Sequence, residues 1–125
     1  MFCVDTRRDF IFIEDLVEVV LKAVEGQGER GYYHISTGRD YAIKDLYDAV
    51  VDVLGLPEDL KSQVEVKPRG KDDAPSILID PSKTENDFNW KAKTPLNEGI
   101  KKAIEYYKVY GVSQTFTHLR VEEKK

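Results

Sequence analysis

Hydrophobic positions along the chain fall alternately into short unbroken runs and into stripes of helical period. Phe10, Ile11, Phe12 and Ile13 form a continuous β-prone run, which predicts a short strand buried on both faces and ending at Glu14 and Asp15. Leu16, Val17, Val20, Leu21 and Val24 then recur every three or four residues, with Glu18, Lys22 and Glu25 between them. That spacing predicts an amphipathic helix stopped by Gly26. Residues 26–31 read as a loop, and Tyr32, Tyr33, His34 and Ile35 as a strand running into a turn at Ser36-Thr37-Gly38.

The most regular stripe is Ile43, Leu46, Tyr47, Val50, Val51 and Leu54, a helix ended by Gly55 and Pro57. Val64 and Val66 alternate with polar neighbours as a short strand, residues 67–75 make a polar loop, and Ile77-Leu78-Ile79 is another strand-like run. Asp80-Pro81 has the form of an acidic N-cap followed by proline at the first helical position, starting a short helix that stops near Asn89. Thr94-Pro95 repeats the device. With Glu98 in the first turn and Leu96, Ile100, Ala103, Ile104 and Tyr107 as its stripe, a last helix runs to about Tyr110 before Gly111. Short strands alternating with three main helices define an α/β unit over residues 1–111, followed by a flexible C-terminal tail over 112–125.

Composition narrows the possible functions. With 125 residues, 41% of them hydrophobic and 34% charged, the chain suffices for one packed domain but not for two. A net charge of −4 offers no footprint for nucleic acid. Cys3 is the single cysteine, so an internal disulfide is excluded and a cytoplasmic location fits. No apolar run approaches the ~20 residues of a membrane span and no leader precedes Val4, so the expectation is a soluble chain. No glycine-rich strand-to-helix turn is present, because Gly26-Gln27-Gly28 follows a predicted helix; a dinucleotide site is not expected here.

Candidate chemistry concentrates in two basic clusters, Arg7-Arg8 before the first predicted strand and Arg69 with Lys71 in the polar loop. Two guanidinium forks closing on one point would grip a diphosphate, and Asp72 or Asp73 beside them could accept hydrogen bonds from ribose hydroxyls. Spacing alone leaves solvated or salt-bridged arginines as the simpler reading. No metal site is expected: His34 sits in an apolar segment without ligand partners, and His118 lies in the tail. Phe88 and Trp90 read as core anchors. Tyr41 stands three residues before Lys44, and Tyr106-Tyr107-Lys108 lies on a helix, so both groups read as structural and no catalytic residue is assigned.

Four segments carry a family resemblance. Arg8-Asp9-Phe10-Ile11-Phe12-Ile13-Glu14-Asp15 is similar to the "R-D-[FY]-I-x-V-x-D" segment of NAD-dependent nucleotide-sugar epimerases and dehydratases, members of the extended short-chain dehydrogenase/reductase family. Gly31 to Gly38 resembles their "G-x-x-Y-N-V-G-T-G" strand and turn, with His34 in place of the usual Asn. Asp80-Pro81-Ser82-Lys83, then Phe88 to Leu96 with Glu98-Gly99-Ile100, resembles "D-x-S-K-A" and "L-G-W-x-P-x-x-x-L-x-E-G-I". The segments stand in family order and span residues 7–111.

The resemblance implies the carboxy-terminal, substrate-binding portion of such an enzyme, without a complete Rossmann domain. It implies that Arg8 contacts the diphosphate of a nucleoside-diphosphate sugar and that Arg69 supplies a second arginine. The family's "R-x-G-D" loop puts the ribose-binding acid at Asp73 when counted back from Asp80, and at Asp72 when counted forward from Arg69. Asp73 is favoured, since a strand holds register better than a loop. NAD belongs to the full-length family, whose glycine-rich turn and Tyr-x-x-x-Lys pair this chain lacks, so neither NAD binding nor turnover is expected of it alone. The implied partners are a nucleotide sugar, the Rossmann domain of a full-length enzyme and, through exposed faces, further copies. The implied setting is surface-polysaccharide precursor synthesis. A stand-alone, non-catalytic module for nucleotide sugars or other phosphorylated ligands is the alternative, and an inactive fragment a third reading.

Overall fold

The computed structural model describes residues 6–65 and 67–111. Strand β1 (Arg7–Asp9) leads into helix α1 (Ile13–Val24). Strand β2 (Asp40–Ala42) passes directly into helix α2 (Ile43–Leu54), and a 3-10 turn follows at Glu58–Lys61. Strand β3 (Ser76–Ile77), helix α3 (Ser82–Phe88) and helix α4 (Leu96–Tyr110) complete the order. The strands form one sheet in the order β2-β1-β3. β1 is antiparallel to β2, with Arg8 opposite Tyr41, and parallel to β3, with Arg8 opposite Ile77. Helix α2 packs on α4, and α1 on α3.

The helices lie where period and capping place them. Asp80 caps α3 by accepting the Ser82 N–H at 2.9 Å, and Asn89 ends that helix in the left-handed conformation. Asp45 reaches back to accept the Ala42 N–H at 2.9 Å, which closes the first turn of α2. Thr94 does not cap α4 with its side chain. Its N–H instead donates to Asp15 at 2.9 Å, and the buried Asp15 carboxylate also accepts the Lys93 N–H, tying α1 to the entry of α4.

The strands differ from expectation. The run Phe10–Ile13 is not a strand: pairing is confined to Arg7–Asp9, and Ile13 already opens α1. β-propensity marks segments that suit a sheet, but a ladder needs partners, and these lie opposite the polar residues before the run. Arg7 and Arg8 are thus inside the first strand and not ahead of it. Tyr32–Ile35 forms no ladder either. Side chains hold this segment instead, since Thr84 donates to the His34 carbonyl at 2.6 Å and Ser36 to the Ile79 carbonyl at 2.8 Å. Only Ile77 of the Ile77–Ile79 run joins a strand, and Val64 belongs to no regular element. Cys3, Val66 and the tail with His118 lie outside the described residues.

One buried cluster gathers Val19, Phe88 and Trp90, flanked by Ile11, Tyr33, Ile35 and Ala92, and Ala49 and Val51 of α2 and Ile100 of α4 are buried as well. Tyr33 meets Phe88 edge to face at 4.8 Å between ring centroids. The stripe of α1 is largely open, because Ile13, Val17, Val20, Leu21 and Val24 are 45–80% exposed. Tyr107 of α4 is also exposed. No described helix is long and apolar enough to cross a membrane.

Gly28 is the most closely packed of the described glycines. Its φ is +75°, and a Cβ there would stand 2.5 Å from Cζ of the buried Phe88 ring. Gly28→Ala combines a disfavoured backbone with an overpacked core and is expected to cost about 2 kcal/mol. Urea unfolding followed by circular dichroism measures it, and an unchanged midpoint would contradict the packing described.

Asp40 joins all three strands: Arg7 contacts its carboxylate at 3.1 Å, and Ser76 donates to it at 2.7 Å. Hydrogen bonding from Arg7 first, then from Ser76, holds the Asp40 pKa below its ordinary 3.8. A group with a lowered folded pKa contributes stability above the unfolded value and loses it as pH falls through the folded one. The urea midpoint should therefore fall as pH drops below about 3.8, and Asp40→Asn should blunt that fall. Asp80 and Asp87, also lowered by partners, keep part of the slope in the variant. Identical acid profiles in the two proteins would remove Asp40 from the account.

Candidate functional site

Successive residues of β1 send their side chains to different parts of the fold. Arg7 turns to Asp40 on β2. Arg8 turns to the loop before β3, where Nη2 donates to Asp73 Oδ1 at 2.6 Å and Nη1 to the Ala74 carbonyl at 3.0 Å. Nη1 also donates to the Arg7 carbonyl at 2.7 Å. The parallel pairing of β1 with β3 makes these contacts possible, as Arg7 N–H donates to the Pro75 carbonyl at 2.8 Å and brings residues 73–75 alongside. The Arg8 side chain is 25% exposed and that of Asp73 41%, so the pair faces solvent and is partly screened.

Of the two candidate acids, Asp73 meets Arg8, whereas Asp72 is exposed. The Asp73 N–H donates to the Gly70 carbonyl at 3.2 Å, a turn that sets Asp73 beside the backbone following Arg69. Arg69 and Lys71 are exposed on the same loop. Sequence positions 8 and 73, far apart along the chain, are thus in contact, and Arg69 belongs to the loop that Arg8 holds. Behind them, buried Thr6 approaches the second Asp73 oxygen at 3.4 Å.

Two acids that the sequence marked only as motif positions, with no role assigned, organise the surroundings. Asp9 accepts the Thr37 and Gly38 N–H groups at 2.9 and 3.1 Å and the Thr37 hydroxyl at 2.6 Å, which fixes the turn after Ser36. Asp15 does the same for residues 93–94. The available signals were an acid directly after Arg8 and an acid one helical turn before Val19, the position that α1 buries. Between these anchors lies an open cleft of about 210 Å³ lined by Phe10, Thr37, Arg39, Tyr41, Lys93 and Leu96.

The arrangement can hold an anion and accept hydroxyl hydrogen bonds. Among the described residues no group of three or more His, Cys, Asp or Glu could hold a metal ion. The Gly26-Gln27-Gly28 segment follows helix α1 and not a strand, and the missing Cβ of Gly28 makes room for the Phe88 ring.

Comparison with known proteins extends these observations. A profile of the family described as GDP-mannose 4,6 dehydratase matches residues 2–103. The probable UDP-arabinose 4-epimerase 3 of Arabidopsis thaliana is 33% identical over 106 residues, which are 82% of this chain and 25% of that protein. The Bordetella bronchiseptica enzyme WbmH, solved with NAD+, shares 48% identity at a TM-score of 0.77 over 89% of this chain and 36% of its own. WbmG of the same organism, solved with NAD and UDP, shares 38% identity at a TM-score of 0.77 over 96% of this chain and 37% of its own. The chain spans about a quarter of the length of that epimerase and little more than a third of either Bordetella enzyme. With most of its residues matched in each comparison, the chain belongs to the NAD-dependent epimerase/dehydratase family of extended short-chain dehydrogenases/reductases.

Proposed function

We propose that this chain is the substrate-gripping portion of an NAD-dependent nucleotide-sugar epimerase or dehydratase, holding the diphosphate and nucleoside of the substrate. Arg8 and Arg69 grip the diphosphate, and Asp73, in preference to Asp72, accepts the ribose hydroxyls. The observation that carries this reading is the contact of Arg8 with Asp73 and Ala74, which brings an arginine and an acid from distant segments to one solvent-facing point. WbmG, 38% identical, was solved with UDP, the class of ligand these groups suit. NAD and the proton-transferring residues would come from a Rossmann domain outside this chain. Grip at the diphosphate then supplies remote binding energy that orients the sugar toward that domain.

The stand-alone binding module predicts the same ligand but no companion polypeptide. The open aliphatic stripe of α1 favours the first reading, because five large side chains at 45–80% exposure suit a surface that another domain or copy covers.

Titration calorimetry with UDP and UDP-sugars tests the proposal. Arg8→Ala and Arg69→Ala should each weaken binding about tenfold or more, the scale of a lost hydrogen bond to a charged group. Arg8→Lys should recover only part, because an ammonium restores charge without the planar fork. Unchanged affinity in both alanine variants, with folding verified, removes the assignment.

A further inference from the structure

Arg8 combines two tasks that interfere with one another. Its Nη1 is committed to the Arg7 and Ala74 carbonyls, and its Nη2 to Asp73 Oδ1 at 2.6 Å. Nε–H and the second Nη2 hydrogen take no contact from the described residues, so an anion gripping that edge stands directly beside the Asp73 carboxylate. Two negative groups on one guanidinium repel each other, so the incoming anion must share the positive charge with Asp73 or displace it.

We propose that Asp73 is a specificity-determining residue: by neutralising the Arg8 guanidinium it disfavours bare phosphate anions and admits ligands that give its carboxylate a new partner. A nucleoside diphosphate does so, since its ribose hydroxyls can donate to the displaced carboxylate, whereas a bare pyrophosphate brings only further acceptors. The second Asp73 oxygen is held weakly, by Thr6 at 3.4 Å. Asp73 is 41% exposed, and Ala74 retains an independent contact with Arg8, so the carboxylate can turn while the loop stays tethered. The inference rests on the diphosphate reading of Arg8 and adds that one acid is both counter-ion and selector.

Competition binding of inorganic pyrophosphate and UDP to the full chain and to Asp73→Asn tests it. The amide nearly matches the carboxylate in shape and removes its charge, and thermal unfolding of each variant verifies folding. Asp73→Asn should tighten pyrophosphate about three- to fivefold, the scale of a partly exposed ion pair, while the preference for UDP over pyrophosphate shrinks by at least as much. Asp72→Asn removes the same charge one residue away without the Arg8 contact and serves as comparator. The selector role is overturned if Asp73→Asn leaves pyrophosphate affinity unchanged, preserves the UDP preference, or acts no differently from Asp72→Asn. If the unaltered chain binds neither ligand, the diphosphate reading itself falls and the selector falls with it. If it binds both but Asp73→Asn changes nothing, the selector alone is lost.

Discussion

Three consecutive charged residues on a three-residue strand hold this molecule in register. Arg7 reaches Asp40 across 33 positions, Arg8 reaches Asp73 across 65, and Asp9 reaches Thr37 across 28. β1 is the central strand, so its backbone is paired on both sides while its side chains tie down the β2 turn and the loop before β3. No internal disulfide does this work, since the chain has one cysteine, and none of the buried apolar side chains among the described residues lies on β1. Each tether is a modest, partly exposed interaction, and the order they impose comes from their convergence on one short segment.

That convergence explains which parts of the fold were legible in the sequence. Helices α2, α3 and α4 were readable because their determinants are local: a stripe of period 3.6, an Asp-Pro start, a glycine or asparagine stop. Strands were not. Phe10–Phe12 has the composition of a strand but lacks a facing partner, while Arg7–Asp9 has a polar composition and two partners. Tyr32–Ile35 is held by the Thr84 and Ser36 side chains, which no periodicity announces. Asp15 read as a residue of the polar boundary at the end of a strand. It is instead a buried acceptor for two backbone N–H groups near the start of α4, a role that depends wholly on tertiary placement.

The candidate site shows the same division. Arg8, Arg69, Asp72 and Asp73 could be named from residue type and family resemblance, and counting along the loop gave two positions for the acid, with Asp73 favoured. The turn between Gly70 and Asp73, set against β1 by the Arg7–Pro75 hydrogen bond, directs Asp73 to Arg8 and leaves Asp72 exposed. Which of the two acids meets Arg8 thus depends on a backbone pairing that lies outside the loop. Asp9 was marked by the family motif but given no role, because its part is to organise the Thr37–Gly38 turn through tertiary hydrogen bonds.

On the proposed reading, placing the diphosphate grip on β1 has a mechanical consequence. β1 is the segment whose displacement would loosen the sheet, the Thr37–Gly38 turn and the β3 loop together, so a ligand bound by Arg8 is attached to a strand paired on both sides. A grip remote from the reacting carbon contributes to catalysis only if it transmits position without play, which requires its residues to sit on supported elements. Arg8 meets that condition, being paired through its backbone and braced through Nη1. Arg69 lies on an exposed loop that is held to β1 by the Arg8 contacts with Asp73 and Ala74 and by the Arg7–Pro75 hydrogen bond. The two arginines are therefore unequal: Arg8 is part of the central strand itself, whereas the loop of Arg69 takes its place from contacts with that strand.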